Sequence, residues 1–306
     1  MRRGLLIPLI LLTLIGLPMT GDAQLNDDWQ ELKGIIDIHA HVGPATDLSL
    51  PRTFDAIEIT QLAARHGMRA INMKQHYLET ASWAYLVSRV VPGIKVFGGI
   101  ALNRSVGGLN VNAVEQVATF KGGFGRVVYM PTFESEYSNL KTPERAVPVS
   151  KDGKLLPAVG EILKIVAKYD MALSTGHSSP AESLMIIKAA KDAGVKRIFV
   201  QHPAMPLVNM SVEMQKEAVQ MGALLEYVLG EGINNQKDLE HWTGLIKQVG
   251  AENVVIGTDL GQWGRPTPTD AYKVMIPRML KAGFTQAQLD VMMKTNPARL
   301  LGLEKW

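Results

Sequence analysis

Short apolar runs alternate with helical segments along most of this chain, and a glycine often stands where a helix hands over to the next run. Eight runs have the length and apolar content of buried strands: residues 35–41, 70–74, 95–102, 126–130, 171–175, 197–201, 223–228 and 253–258. Gly67, Gly93, Gly194, Gly222 and Gly250 close the helical segments between them. A glycine directly after a helix supplies the left-handed residue that ends it. Strands that alternate with helices predict parallel βα units. Eight units in roughly 270 residues match the size of a (β/α)8 barrel. A doubly wound parallel sheet is the alternative. No stretch reads as a linker, so the expectation is one α/β domain, a (β/α)8 TIM barrel, over residues 24–306.

One connection is too long for a plain turn. Residues 131–157 separate the fourth run from its helix and carry Glu134, Glu136, Tyr137 and Arg145. Asp152-Gly153 between extended residues signals a hairpin. Long connections in compact folds tend to be lids or binding loops. A plain insertion is the other reading.

Composition narrows the class. With 46% hydrophobic and 20% charged residues, the chain can bury a sizeable core, which excludes a disordered protein. The net charge of +3 comes without a basic cluster interleaved with aromatics, so no nucleic-acid partner is expected. Arg2 and Arg3, the apolar residues 5–17 broken by Pro8 and Gly16, and Gly21-Asp22-Ala23 read as a signal peptide over residues 1–23. Cleavage after Ala23 would leave Gln24 first and send the protein to the periplasm or outside the cell. The apolar stretch is short of the roughly 20 residues that span a bilayer, so no stable membrane anchor is expected after cleavage, a retained anchor being the alternative. There is no cysteine, hence no disulfide, lipid-anchor cysteine or thiolate ligand. Any metal must be held by nitrogen and oxygen. The oligomeric state stays open, a homo-oligomer among the options.

Candidate chemistry gathers at the ends of the runs. His39 and His41 close the first run two residues apart, and in a strand such residues share a face. His177 follows the fifth run, His202 the sixth and Asp259 the eighth. In a parallel barrel these positions fall on one rim, where catalytic groups gather. Four imidazoles and a carboxylate suit zinc, or manganese, iron or nickel. A divalent ion lowers the pKa of bound water toward about 7, and Asp259 could take the proton. Singly, each histidine reads as a packed residue and Asp259 as a helix cap; the joint placement points to a metal.

This ordered set resembles the amidohydrolase superfamily, and Asn296-Pro297-Ala298-Arg299-Leu300-Leu301-Gly302-Leu303 resembles that family's C-terminal segment. That segment alone also reads as an Asn-capped amphipathic helix. The resemblance implies a distorted (β/α)8 barrel with one or two divalent metals. It implies that His39, His41 and Asp259 bind a buried ion and that His177 and His202 bind a second. With a single ion, His177 would be a ligand and His202 would orient water or substrate. The fourth run lacks the bridging lysine or glutamate of the commonest binuclear pattern. Lys74 ends the second run instead, on the face shared with His76. It could be a relocated carbamate bridge, a substrate-binding cation or a solvated lysine. The implied catalytic residues are Asp259, Lys74 and His202.

Further rim residues are candidates for substrate contact: His76, Asn103, Arg104, Glu226, Tyr227, Trp263 and Arg265. The resemblance implies metal-dependent hydrolysis of a C–N or C–O bond in a small amide, cyclic amide, lactone or ester. A metal-dependent decarboxylase or other lyase is the runner-up, and a non-catalytic metal- or solute-binding barrel comes third.

Overall fold

A computed structural model describes residues 31–46, 50–232 and 235–303. The expected signal peptide lies outside these residues. The eight runs form eight parallel strands: β1 (Ile36–His41), β2 (Ala70–Lys74), β3 (Lys95–Ala101), β4 (Gly125–Tyr129), β5 (Ala172–Ser174), β6 (Arg197–Gln201), β7 (Leu224–Val228) and β8 (Val254–Gly257). Each pairs with its sequence neighbour, and helices fill the connections. The fold is therefore the expected (β/α)8 barrel rather than a doubly wound sheet.

Closure of the barrel is local. Past the ladder ends, His41 N donates to the Leu260 carbonyl and Asp259 N to the His39 carbonyl, both at 2.8 Å. Below them, buried Asp37 clamps the same seam. Its carboxylate accepts from His39 N and Thr258 N at 3.0 Å and from Thr258 Oγ1 at 2.5 Å. Burial pushes the Asp37 carboxyl up, and these donors oppose the rise.

Two apolar layers hold the elements. Ile36, Ile38, Val127, Tyr129, Phe199 and Val255 pack within the barrel. Outside it, strand residues such as Met73, Val128, Leu173, Val200 and Ile256 meet the helix positions Ile59, Val114, Ile162 and Ile186. Each such side chain contributes roughly 1.5–3 kcal/mol. The helices begin on sequence signals. Asp55 with Glu58 and Ser179 with Glu182 form reciprocal capping boxes before Ala56–Arg65 and Pro180–Asp192. The five glycines read as helix ends all have left-handed φ values, 72° to 95°.

The C-terminal segment differs in one respect from the capped helix considered above. Asn296 caps nothing; its Nδ2 donates to the carbonyls of Glu252 and Val254, at 3.0 and 2.7 Å. Leu300, Leu301 and Leu303 join the inner cluster, so the segment plugs the barrel end opposite the histidines. The long connection after β4 carries the expected hairpin, Ser150–Lys151 with Lys154–Leu155, turning at Asp152 and Gly153. Among the described residues no helix is long and apolar enough to cross a membrane.

Candidate metal centre

A bulge aims the two β1 histidines. Asp37 pairs with Ile71 but Ala40 pairs with Met73, so β1 carries one extra residue between them. Ile36 and Ile38 face the interior below the bulge; above it the parity changes, and His39 and His41 face inward. Space for His39 comes from β8. A Cβ on Gly257 would lie 2.9 Å from His39 Cβ and 3.2 Å from Glu226 Oε1. The turn before His177 also demands glycine: Gly176 has φ +64°, and a Cβ there would lie 2.3 Å from the Met130 carbonyl oxygen.

These devices bring the rim residues together. His39 Nε2 lies 3.1 Å and His41 Nε2 2.9 Å from Asp259 Oδ1. All three ligand atoms, and a second group of His39, His202 and Glu226, lie within 4.8 Å of one another. His39, His41, His177, His202 and Glu226 are buried, while the Asp259 side chain is 21% exposed. His202 and Asp259 sit just past β6 and β8 with φ +50° and +53°, a backbone region costly for non-glycine residues. His177 belongs to neither close group; its ring centre lies 5.6 Å from that of His202.

Glu226 is the partner that orients His39. Its Oε1 lies 3.0 Å from His39 Nδ1, so a proton there leaves the Nε2 lone pair toward Asp259. Lys74 is fully buried, with Nζ 2.9 Å from that same Nε2 and 4.9 Å from the centre of the Tyr129 ring. Burial pushes the Lys74 ammonium down to about 8, against the pull of Asp259 and Glu226.

The donor set fits a divalent ion. Burial holds His41 down at about 3 and His76, His177 and His202 well below the ordinary range, so these rings keep a free lone pair at neutral pH. His39 moves the other way: burial and Lys74 lower it, but Glu226 and Asp259 more than offset them. For Asp259, burial alone would raise the carboxyl; His39 and His202 hold it well below the usual range. The two carboxylates thus favour positive charge beside His39 Nε2. His41 Nδ1, His177 Nδ1, His202 Nδ1 and Glu226 Oε2 are buried without a hydrogen-bond partner.

A cavity of about 70 Å³ opens over the centre. His41, His76, His177, His202 and Asp259 line it together with Arg52, Gln262, Leu50, Phe133 and Leu207. Phe133, from the long connection, packs tilted against His76 with ring centres 4.2 Å apart. That connection therefore walls the site. Arg52 and Gln262 escaped the sequence reading, because both lie on irregular segments with no periodic signal. Gln201 escaped it too: its Nε2 lies 2.9 Å from His202 Nε2 and 3.4 Å from His177 Nε2.

Other candidates lie elsewhere. Asn103 is buried behind the cavity, where it holds the His76 carbonyl and Thr132 at 2.7–2.9 Å. Trp263 is 75% exposed, and Arg265 donates to the Gly230 carbonyl at 2.7 Å. Neither lines the cavity, because the chain turns at Gly261 and Gly264 and strand alternation ends there. Arg104 is exposed, and Tyr227 points outward to Gln215 at 2.7 Å.

Fold and site define a (β/α)8 barrel with a histidine-rich centre suited to a divalent ion. The chain belongs to the family described as "Family of unknown function (DUF6282)", matched over residues 34–226, which takes in every centre residue except Asp259. No curated protein sequence matches it. Among solved structures it is similar to an amidohydrolase from Pseudomonas aeruginosa, with TM-score 0.61 and 13% identity over 90% of this chain and 98% of that one. It is also similar to an organophosphorus hydrolase from Deinococcus radiodurans, with TM-score 0.58 and 15% identity over 90% and 94%. A mutant PTE-like lactonase from Deinococcus radiodurans gives TM-score 0.57 and 16% identity over 90% and 97%. At these identities the likeness establishes the shared fold.

Proposed function

We propose that the protein is a metal-dependent hydrolase that cleaves a C–N or C–O bond of a small molecule. The carrying observation is the convergence of His39 Nε2, His41 Nε2 and Asp259 Oδ1, the last two lining one cavity, with Glu226 fixing His39 from behind. The structural neighbours named as hydrolases support the same class.

His39, His41 and Asp259 would hold one ion, zinc being the best match to this nitrogen and oxygen set. Such an ion supplies Lewis acidity and lowers the pKa of its water toward about 7. Asp259, partly exposed to the cavity, accepts the proton of the attacking water and returns it to the leaving group. His202, 3.8 Å from Asp259 Oδ2, orients that water, and His177 and His76 face the scissile group. A divalent ion would repel an ammonium 2.9 Å from His39 Nε2. The loaded site therefore holds Lys74 as a neutral amine or as its carbamate, which an intact-mass measurement distinguishes.

The decisive experiment measures metal in purified wild type and His39→Ala by elemental analysis, alongside a screen of lactones, esters and amides. At least about one equivalent of transition metal in wild type and a marked loss in the variant are expected, given three converging ligands. Negligible metal in both would refute the reading.

A further inference from the structure

We propose that Arg52 reads a negative charge on the substrate, so that the cavity takes small carboxylate-bearing molecules. The inference deepens the hydrolase reading and rests on it: the same cavity receives the substrate, and an ion takes up the charge of Asp259.

Arg52 is fixed over the site by its backbone. Residues 51–53 run antiparallel to residues 261–263: Thr53 N donates to the Gly261 carbonyl at 3.0 Å and Trp263 N to the Pro51 carbonyl at 2.9 Å. Arg52 faces Gln262 across this bridge, and both side chains line the cavity. Gln262 Nε2 donates to the Asp259 carbonyl at 3.0 Å, so the roof that carries Arg52 is tied to the metal-type carboxylate below.

The charges in the cavity are unequal once the centre is loaded. Among the described residues, Arg52 and Asp259 are the only arginine, lysine or carboxylate groups in its lining. Asp259 Oδ1 already lies 3.1 Å from His39 Nε2 and 2.9 Å from His41 Nε2, and its charge would be spent on an ion. Nothing else among the described lining residues offsets the guanidinium. Among the described residues Arg52 makes no ion pair; one Nη donates to the Leu50 carbonyl, and its buried Nε has no acceptor. A planar guanidinium matches a carboxylate in shape as well as charge. The cavity volume of about 70 Å³ suits a small occupant. Leu50, Phe133 and Leu207 offer a short apolar body its wall.

Succinate and its neutral counterpart succinamide are suitable probes, titrated calorimetrically into wild type, Arg52→Gln and Arg52→Lys at low ionic strength. Wild type is expected to bind succinate about tenfold or more tightly than Arg52→Gln, the scale of one charge-assisted hydrogen bond. Succinamide should bind both alike, and Arg52→Lys should regain part of the succinate affinity. Equal succinate affinity in wild type and Arg52→Gln overturns the proposal, and so does an equal loss for both probes. Should Arg52→Gln fail to fold, wild type alone decides, since no preference for succinate over succinamide is also fatal. Metal content of the same samples tests the hydrolase reading separately. A wild type without metal sinks that reading, and the succinate preference then stands or falls on metal-free protein.

Discussion

At the scale of single residues, the centre depends on which nitrogen of His39 faces the cavity. The Glu226 carboxylate 3.0 Å from Nδ1 sets that choice, and no water reaches either group to compete. Residues that hold a ligand from behind typically contribute 10- to 100-fold to metal affinity. Glu226→Gln keeps the shape but can present an amide N–H to Nδ1, which favours the tautomer that turns a protonated nitrogen toward the ion. Metal affinity of this variant, read by competition with a chelator, should therefore fall about 10- to 100-fold while every direct ligand remains. Unchanged affinity would make Glu226 a packing residue only. The sequence put Glu226 on the correct rim but assigned it to substrate. Nothing in a linear pattern tells a carboxylate that meets a substrate from one that meets a neighbouring imidazole.

At the scale of elements, β1 and β8 make the seam on which three of the centre residues sit. Thr258 is the cross-link, since its backbone N–H and hydroxyl both satisfy Asp37. Thr258→Val conserves volume yet leaves an oxygen of a fully buried carboxyl unpaired. The expected cost is about 1–3 kcal/mol, visible as a lower denaturation midpoint with an unchanged slope. Loss of less than about 0.5 kcal/mol would show that the seam holds without this bond. The strands themselves were legible, because burial on both faces makes each a short apolar run that helices and glycines punctuate. The bulge in β1 was not, since one extra residue changes the facing of a strand without changing its composition. Alternation correctly put His39 and His41 on one face, but which face depends on that bulge. Trp263 and Arg265, read as rim candidates, miss the cavity because strand geometry ends at Gly261 and Gly264.

At the scale of the whole molecule, the barrel's two ends divide stability from chemistry. Leu300, Leu301 and Leu303 fill one end, and Asn296 pins their helix to the start of β8. The other end gathers buried imidazoles, a buried lysine and two carboxylates. This polar cluster opposes folding unless something compensates it, because buried charges and unpaired polar atoms are costly. An ion bound by β1 and by the loop after β8 would do so at the very place where the barrel closes. Ligands that bind only the folded state stabilise it by mass action, by about 2.7 kcal/mol at a hundredfold excess over Kd. For a fold of this size, 1 kcal/mol moves Tm by roughly 2–4 °C. Chelator-treated protein should therefore melt about 5–10 °C below the same sample restored with zinc at that excess. Repeating the melt with manganese and nickel ranks the ions by the shift each produces. His39→Ala should melt at one temperature with or without added metal. A wild type that shows the same indifference would mean that the rim histidines are held together by the protein alone, and that no ion belongs among them.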